Sequence, residues 1–192
     1  MYGLKVSWSS SSTIQLVSPL TKEQVAIDNV GGCNWGVGEG ANIHQIKTIA
    51  DTSSLVRVVA SGETKTTSTL SPAPFDSKVV VRVPEDCRTL EEAVEKVHGD
   101  DHLTTIVVGK GEHQIDGDGD CLNVLSAMNI VGDPEVSKSN LVVVGGIEFK
   151  KGIQGNCHLQ HLILRQAKSF GVSAESSFTM EDVLVEQCVA FG

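Results

Sequence analysis

A shift of 21 residues lays Cys157–Gly171 onto Phe178–Gly192 without a gap. Leu159 then meets Met180, Leu162 meets Val183, Ile163 meets Leu184 and Leu164 meets Val185. Gln166 falls on Gln187, Phe170 on Phe191 and Gly171 on Gly192, and the same shift backwards puts Leu141, Val142 and Val143 on Leu162, Ile163 and Leu164. A recurrence of roughly 20 residues with one or two short strands per period is the signature of a solenoid, whose repeats bury their apolar sides against each other. Strands of successive repeats are expected to stack in parallel, about 4.8 Å apart. The outer members of each triplet then point inward, and the middle column, Val142–Ile163–Leu184, points outward. An apolar outer column needs a cover, which residues 1–60 or a partner are expected to provide.

Three textures divide the chain. Residues 1–60 mix short apolar stretches (Thr13–Val17, Ile43–Ile49, Leu55–Val59) with a glycine-rich loop, Gly31–Gly40, and read as a small β-rich segment or a lid on the stack. Residues 61–78 are polar, hold two prolines and read as a linker. From Val79 the pattern is regular. Val79–Val83 is a β-branched strand ended by Pro84, and Thr89-Leu-Glu-Glu92 supplies a capping box. Leu90, Ala93, Val94 and Val97 follow at helical spacing, with Gly99 as the stop. Aliphatic bursts come next at Thr105–Val108, Leu122–Leu125, Met128–Val131, Leu141–Val144, Leu162–Leu164 and Val183–Val185, each bounded by turn residues. Aromatics are only 4% of the chain, so the core has to be built from Val, Ile and Leu, which suits strands.

From Val83 to Gly192 the sequence resembles the pectin-lyase-like superfamily of right-handed parallel β-helices. The likeness rests on the Thr-Leu-Glu-Glu-Ala-Val opening, on Thr-Ile-Val-Val-Gly-Lys-Gly-Glu-His and Asn-Ile-Val-Gly-Asp, and on Leu-Gln-His-Leu-Ile-Leu-Arg and Met-Glu-Asp-Val-Leu-Val-Glu. It implies an all-β fold: a right-handed parallel β-helix over residues 79–192, opened by a capping helix at 89–98 and preceded by the 1–60 segment. Its members include polysaccharide lyases, hydrolases, esterases and epimerases, and also substrate-binding β-helices of ubiquitin-ligase subunits, so the fold leaves function open. The Asn-Thr-Asp, Gly-His-Gly and Arg-Ile-Lys of its polygalacturonase-like hydrolases are absent here, as is the Arg-x-Pro-x-x-Arg of its pectate lyases. The repeat runs up to Gly192 without a capping element, so an open strand edge is expected there, completed by further sequence or a second chain.

Asp116, Asp118 and Asp120 alternate with glycines and are the candidate metal ligands, with calcium as the fitting ion. The EF-hand register fails, since Cys121 and Ala127 stand where its glycine and its bidentate glutamate belong; the plain alternative is a solvated turn. His161 and Asp182 share a register one repeat apart, as do Arg165 and Glu186, either as acid/base couples or as charge-neutralising ladders. Gly109–His113 lacks the spacing of a phosphate loop and reads as a turn into the next strand. Cys33-Asn-Trp-Gly36 reads as a structural loop with Trp35 as its packed anchor.

A formal net charge of −9 and scattered lysines and arginines argue against nucleic acid and anionic membrane as partners. Five cysteines without a Cys-x-x-Cys fit reduced, buried thiols rather than a disulfide framework or structural zinc. No signal peptide or membrane-length apolar run is visible, which points to the cytoplasm. No catalytic set and no cofactor-binding motif is recognised. The expected function is a non-catalytic β-helix module that binds protein or carbohydrate. The rivals are the first part of a polysaccharide-active enzyme (lyase, hydrolase or epimerase) and a structural piece of a larger repeat protein.

Overall fold

The computed structural model of the chain describes residues 3–6, 13–29, 34–37, 46–49, 79–117 and 120–189. Five short strands come from the N-terminal part: β1 (Leu4–Val6), β2 (Ile14–Val17), β3 (Ala26–Ile27), β4 (Trp35–Val37) and β5 (Ile46–Ile49), with the one-turn helix α1 (Lys22–Val25) between β2 and β3. The second part opens with β6 (Val80–Val83) and α2 (Leu90–Gly99). It continues through β7 (Thr105–Val108), β8 (Gly111–Gln114), β9 (Cys121–Val124), β10 (Asn129–Gly132), β11 (Leu141–Val144) and β12 (Gly146–Phe149). The last strands are β13 (Cys157–Arg165), β14 (Val172–Ala174) and β15 (Phe178–Glu186).

The described chain is predominantly β, and its strand pairs are parallel. One sheet has the order β4-β1-β14-β12-β9; the other runs β5-β2-β15-β13-β10-β7-β6, with β8, β11 and β3 attached beside β13 and β15. Neither sheet closes on itself. β13 and β15 are nine residues long and serve two rows at once. Their first halves continue the row of β7 and β10, and their second halves the row of β8 and β11. Each strand changes direction at a residue of positive φ, His161 (54°) and Asp182 (49°).

The aliphatic triplets lie side by side in the register that the 21-residue shift predicts. Val142 is opposite Ile163 and Val143 opposite Leu164 in one pair, while Leu162, Ile163 and Leu164 face Val183, Leu184 and Val185 in the next. Leu141, Val143, Leu162, Leu164, Val183 and Val185 are all buried. The spacing is not constant, however. Asn129 stands 24 residues from its neighbour Thr105, and His158 stands 21 from Thr179; residues 133–140, ending in a 3-10 turn at Lys138–Asn140, lengthen the repeat between.

One inward row shows how far the stack reaches. Val81, Ile106, Ile130, Leu159, Met180 and Leu16 are successive partners, each at most 1% exposed. Leu16 belongs to the N-terminal part, so the described strands of residues 4–49 extend both sheets past β14 and β15. The lid expected over Val142–Ile163–Leu184 is thereby corrected. The segment adds strands at the edge, because β15 offers unpaired backbone groups there. Val142 is 6% exposed, and Ile163 and Leu184 are half-buried. The predicted linker at 61–78 and the stretch Leu55–Val59 lie outside the described residues.

At the other end, α2 packs its buried Leu90, Ala93, Val94 and Val97 against β6, β7 and β9. Thr89 Oγ1 accepts from Glu92 N–H at 3.2 Å, and the Glu92 carboxylate reaches back to Arg88 N–H at 2.8 Å, one residue before the expected target. Gly109–His113 is another correction. Gly111–Gln114 is strand β8, paired along its length with β11. Its residues are polar and mostly exposed, so no hydrophobic pattern announces it.

Candidate functional site

The long strands β13 and β15 carry most of the described chemistry on their outer side. His161 Nδ1 lies 2.6 Å from Asp182 Oδ2, and His161 Nε2 lies 3.0 Å from the carbonyl oxygen of Val136. Lys138 donates to the other oxygen of Asp182. The positive φ of His161 and Asp182 turns both side chains toward the 133–140 loop. Gly132 makes room for this close approach: a Cβ there would sit 2.0 Å from the His161 carbonyl oxygen. Partial burial pushes the Asp182 carboxyl up, but the hydrogen bonds from Lys138 and His161 outweigh it and hold the group below the ordinary carboxylate value. The predicted His161–Asp182 pair therefore exists, but a carbonyl and a carboxylate occupy both ring nitrogens. In this arrangement the imidazole has no nitrogen open to a substrate, and it works as a clamp between repeats.

Beside the clamp runs a groove of about 480 Å³. Val17, Pro19, Leu20 and Leu184 form its apolar wall, and Gln24, Lys138, Glu181 and Asp182 its polar edge. The turn between β2 and α1 builds one bank, where the Gln24 side chain accepts from Thr21 N–H at 3.0 Å and fixes the start of α1. Lys138 builds the other. A volume in the range of about 300–1,000 Å³ with a few polar groups over apolar contacts is typical of a ligand site.

A second polar row lies nearby. Thr105, Asn129, His158, Thr179 and Gln15 are successive cross-strand partners. Asn129 Nδ2 donates to Thr105 Oγ1 at 3.3 Å, and His158 Nδ1 is 2.5 Å from Thr179 Oγ1. Thr179 in turn donates to the Cys157 carbonyl at 3.3 Å, which leaves His158 Nδ1 as the donor to Thr179. His158 is 2% exposed. Burial lowers its pKa from the ordinary 6.5 to about 4, against an opposing hydrogen bond to the Gln160 side chain. Glu181 lies 3.8 Å from Nε2, too far and too solvated to reverse that effect.

The folded state of His158 therefore binds fewer protons than the unfolded chain between pH 4 and 6.5. Its contribution to stability is complete above 6.5 and is lost as the pH falls toward about 4. At about 1.4 kcal/mol per pH unit the loss is about 3 kcal/mol. Urea unfolding at a series of pH values is expected to show this slope in the native chain and to lack it in His158→Asn.

Of the three predicted metal ligands, Asp116 and Asp120 are among the described residues. Asp120 sits at φ 53° with its carboxylate 2.7 Å from Lys168 Nζ, while exposed Asp116 donates its N–H to Glu91 of α2 at 2.8 Å. Asp118 lies outside the described residues. Among the described residues no three His, Cys, Asp or Glu side chains form a group able to hold a metal ion. Arg165 and Glu186 are cross-strand partners, as the 21-residue register predicts, but the Arg165 guanidinium forms its ion pair with Glu112, its long side chain crossing β11 to reach β8. His113 directs Nε2 to the Gly109 carbonyl at 2.8 Å. Cys87, Cys121, Cys157 and Cys188 are free and buried, and burial pushes the Cys121 thiol up to about 12 and the Cys188 thiol to about 11. Cys33 lies outside the described residues, while Trp35 packs half-buried against the core from β4.

Lys138, Val136 and the His158–Thr179 row were not singled out in the sequence. The 21-residue shift does place His158 on Thr179, so that signal was present; the loop residues carry none. Among the described residues no helix is long and apolar enough to cross a membrane. No protein-family model, curated protein or solved structure matches the chain.

Proposed function

We propose that the stack is a right-handed parallel β-helix of the pectin-lyase-like kind, and that it is a non-catalytic module that binds an extended protein segment along its outer side. The observation that carries this reading is the groove between the β2–α1 turn and Lys138. Its wall is aliphatic and its edge bears both charge signs, which suits a peptide chain with an apolar anchor flanked by polar groups. A glycan would be favoured by an exposed aromatic platform, and the residues around this groove are Val, Pro, Leu, Gln, Lys, Glu and Asp with Ser18. The acid/base reading of His161 and Asp182 is weaker, because the ring nitrogen facing away from the carboxylate is held by Val136.

Leu184→Asp tests this reading with little risk to the fold, since Leu184 is a half-buried outward residue. Peptides selected by the native chain from a displayed random library are expected to bind the variant at least about tenfold more weakly, a loss of about 1.4 kcal/mol, with an unchanged circular dichroism spectrum. Equal binding by both chains, or retention on a glycan array with no peptide selected, would overturn the groove as a peptide site. Release of unsaturated product from a polyuronide with added calcium, lost when Asp116 and Asp118 are changed to Ala, would overturn the non-catalytic reading.

A further inference from the structure

We infer that the groove between α2 and the outer edge of β9 is a docking site for an extended, lysine- or arginine-bearing segment of a partner protein, which joins the five-stranded sheet as a further strand. β9 ends that sheet, with β12 on one side and no described strand on the other. Gly146 N–H donates to the Asp120 carbonyl at 2.7 Å, and Lys150 N–H donates to the Val124 carbonyl at 3.0 Å. These bonds set the alternation of a parallel pair: Leu122 and Val124 turn their backbone groups to β12, and Cys121 and Asn123 turn theirs away. Among the described residues no backbone group pairs with the outward N–H and C=O of Cys121 and Asn123. A Cβ on Gly117 would lie 3.0 Å from the Cys121 carbonyl oxygen, so the glycine keeps this acceptor clear. Donors and acceptors at every second residue match an extended chain, whose own groups recur at the same interval.

α2 forms the opposite bank. A groove of about 230 Å³ lies between it and β9, lined by Glu91, Val94, Glu95 and His98 from one face of the helix. Cys121, Asn123 and Leu125 line the other side. Two features set the chemistry of the occupant. Leu125 is 56% exposed, and among the described residues no other large hydrophobic side chain is exposed. An aliphatic side chain packed against it takes that surface out of water. Glu91 and Glu95 stand one helical turn apart, where like charges repel. No ion pair of the described residues includes either of them, and Asp116 N–H holds the Glu91 carboxylate in place at 2.8 Å. A lysine or arginine against these two carboxylates relieves the repulsion, whereas an acidic strand adds to it. The site uses neither Lys138 nor Leu184, so it stands apart from the groove beside the β2–α1 turn.

The probe is a short synthetic peptide of alternating lysine and valine, added to the full-length chain. Fluorescence anisotropy of a label on the peptide follows binding, and hydrogen exchange follows the amides. The peptide is expected to bind and to slow exchange at Cys121 and Asn123, whose amides exchange fast in the free chain. Leu125→Asp and Glu95→Lys change exposed side chains, and each is expected to bind the peptide at least about tenfold more weakly. Leu184→Asp is expected to bind it as the native chain does. A peptide with glutamate in place of lysine, and one N-methylated throughout so that it cannot donate along a strand, are expected not to bind. Slow exchange at Cys121 and Asn123 before any peptide is added would overturn the inference, because the chain itself would then fill the edge. Failure of the lysine–valine peptide to bind, or equal binding of its N-methylated form, would overturn it too. So would binding that Leu184→Asp abolishes and Leu125→Asp leaves intact, since the peptide would then occupy the other groove.

Discussion

Leu159→Ala is expected to destabilise the protein by about 2–5 kcal/mol, the usual range for emptying a fully buried leucine site. Leu159 is completely buried, between Ile130 on one side and Met180 on the other in the inward row. Parallel strands fix the spacing of that row through their backbone hydrogen bonds, so the neighbours cannot close in along the stack to fill the space. The upper half of the range is expected for this reason. Ile163→Ala, one position away from Leu162 on the outward column, is expected to cost much less, because Ile163 is already half-buried. Urea midpoints of the two variants against the native chain measure the difference directly.

Asn29→Ala is expected to be nearly as damaging, at about 2–5 kcal/mol, though it removes only an amide. Asn29 is 5% exposed and fastens the N-terminal strands to the last repeat. Its Oδ1 accepts from Cys188 N–H at 3.0 Å, and its Nδ2 donates to the Val185 carbonyl at 3.4 Å and to Asn34 Oδ1 at 3.2 Å. Removing the amide leaves the buried Cys188 N–H without its acceptor and takes a donor from the Val185 carbonyl, at a cost of roughly 1–3 kcal/mol for each buried group left unsatisfied. Gly3 is shaped around the same side chain: a Cβ on Gly3 would lie 2.5 Å from Asn29 Nδ2. Hydrogen exchange should show faster exchange at Cys188 and along β1 in Asn29→Ala, while the amides of β7 and β10 stay protected. Uniform loss of protection along the whole stack would contradict a local fastening role.

The parts of this fold that could be read in the sequence are those whose partners recur at a fixed offset. Leu162–Leu164 and Val183–Val185 announce their register because the turn between them has one length, and His161–Asp182 comes with them. β8 stayed hidden because Gly-Glu-His-Gln has no apolar period; its neighbour β11 defines it through the backbone. β14 is three residues long, too short for a period to show. Lys138 reaches Asp182 from a loop that interrupts the repeat, so no offset relates the two. Arg165 keeps its predicted register with Glu186, but a long flexible side chain is free to reach past its cross-strand neighbour, here to Glu112. The placement of β1–β5 was the hardest part. Leu16 and Met180 are neighbours in one row although almost the whole chain lies between them, and composition records nothing of that pairing.

That pairing is also the central claim: strands from both parts of the chain form one continuous stack. Both tryptophans, Trp8 and Trp35, belong to the N-terminal part, whereas Leu159 lies in the second. Unfolding Leu159→Ala in urea, followed at once by tryptophan fluorescence and by circular dichroism, therefore reads one part through a change made in the other. A shared stack predicts that the fluorescence transition moves to lower urea together with the dichroism transition. A fluorescence midpoint left where the native chain has it would show that the two parts fold apart, and the continuous stack would be wrong.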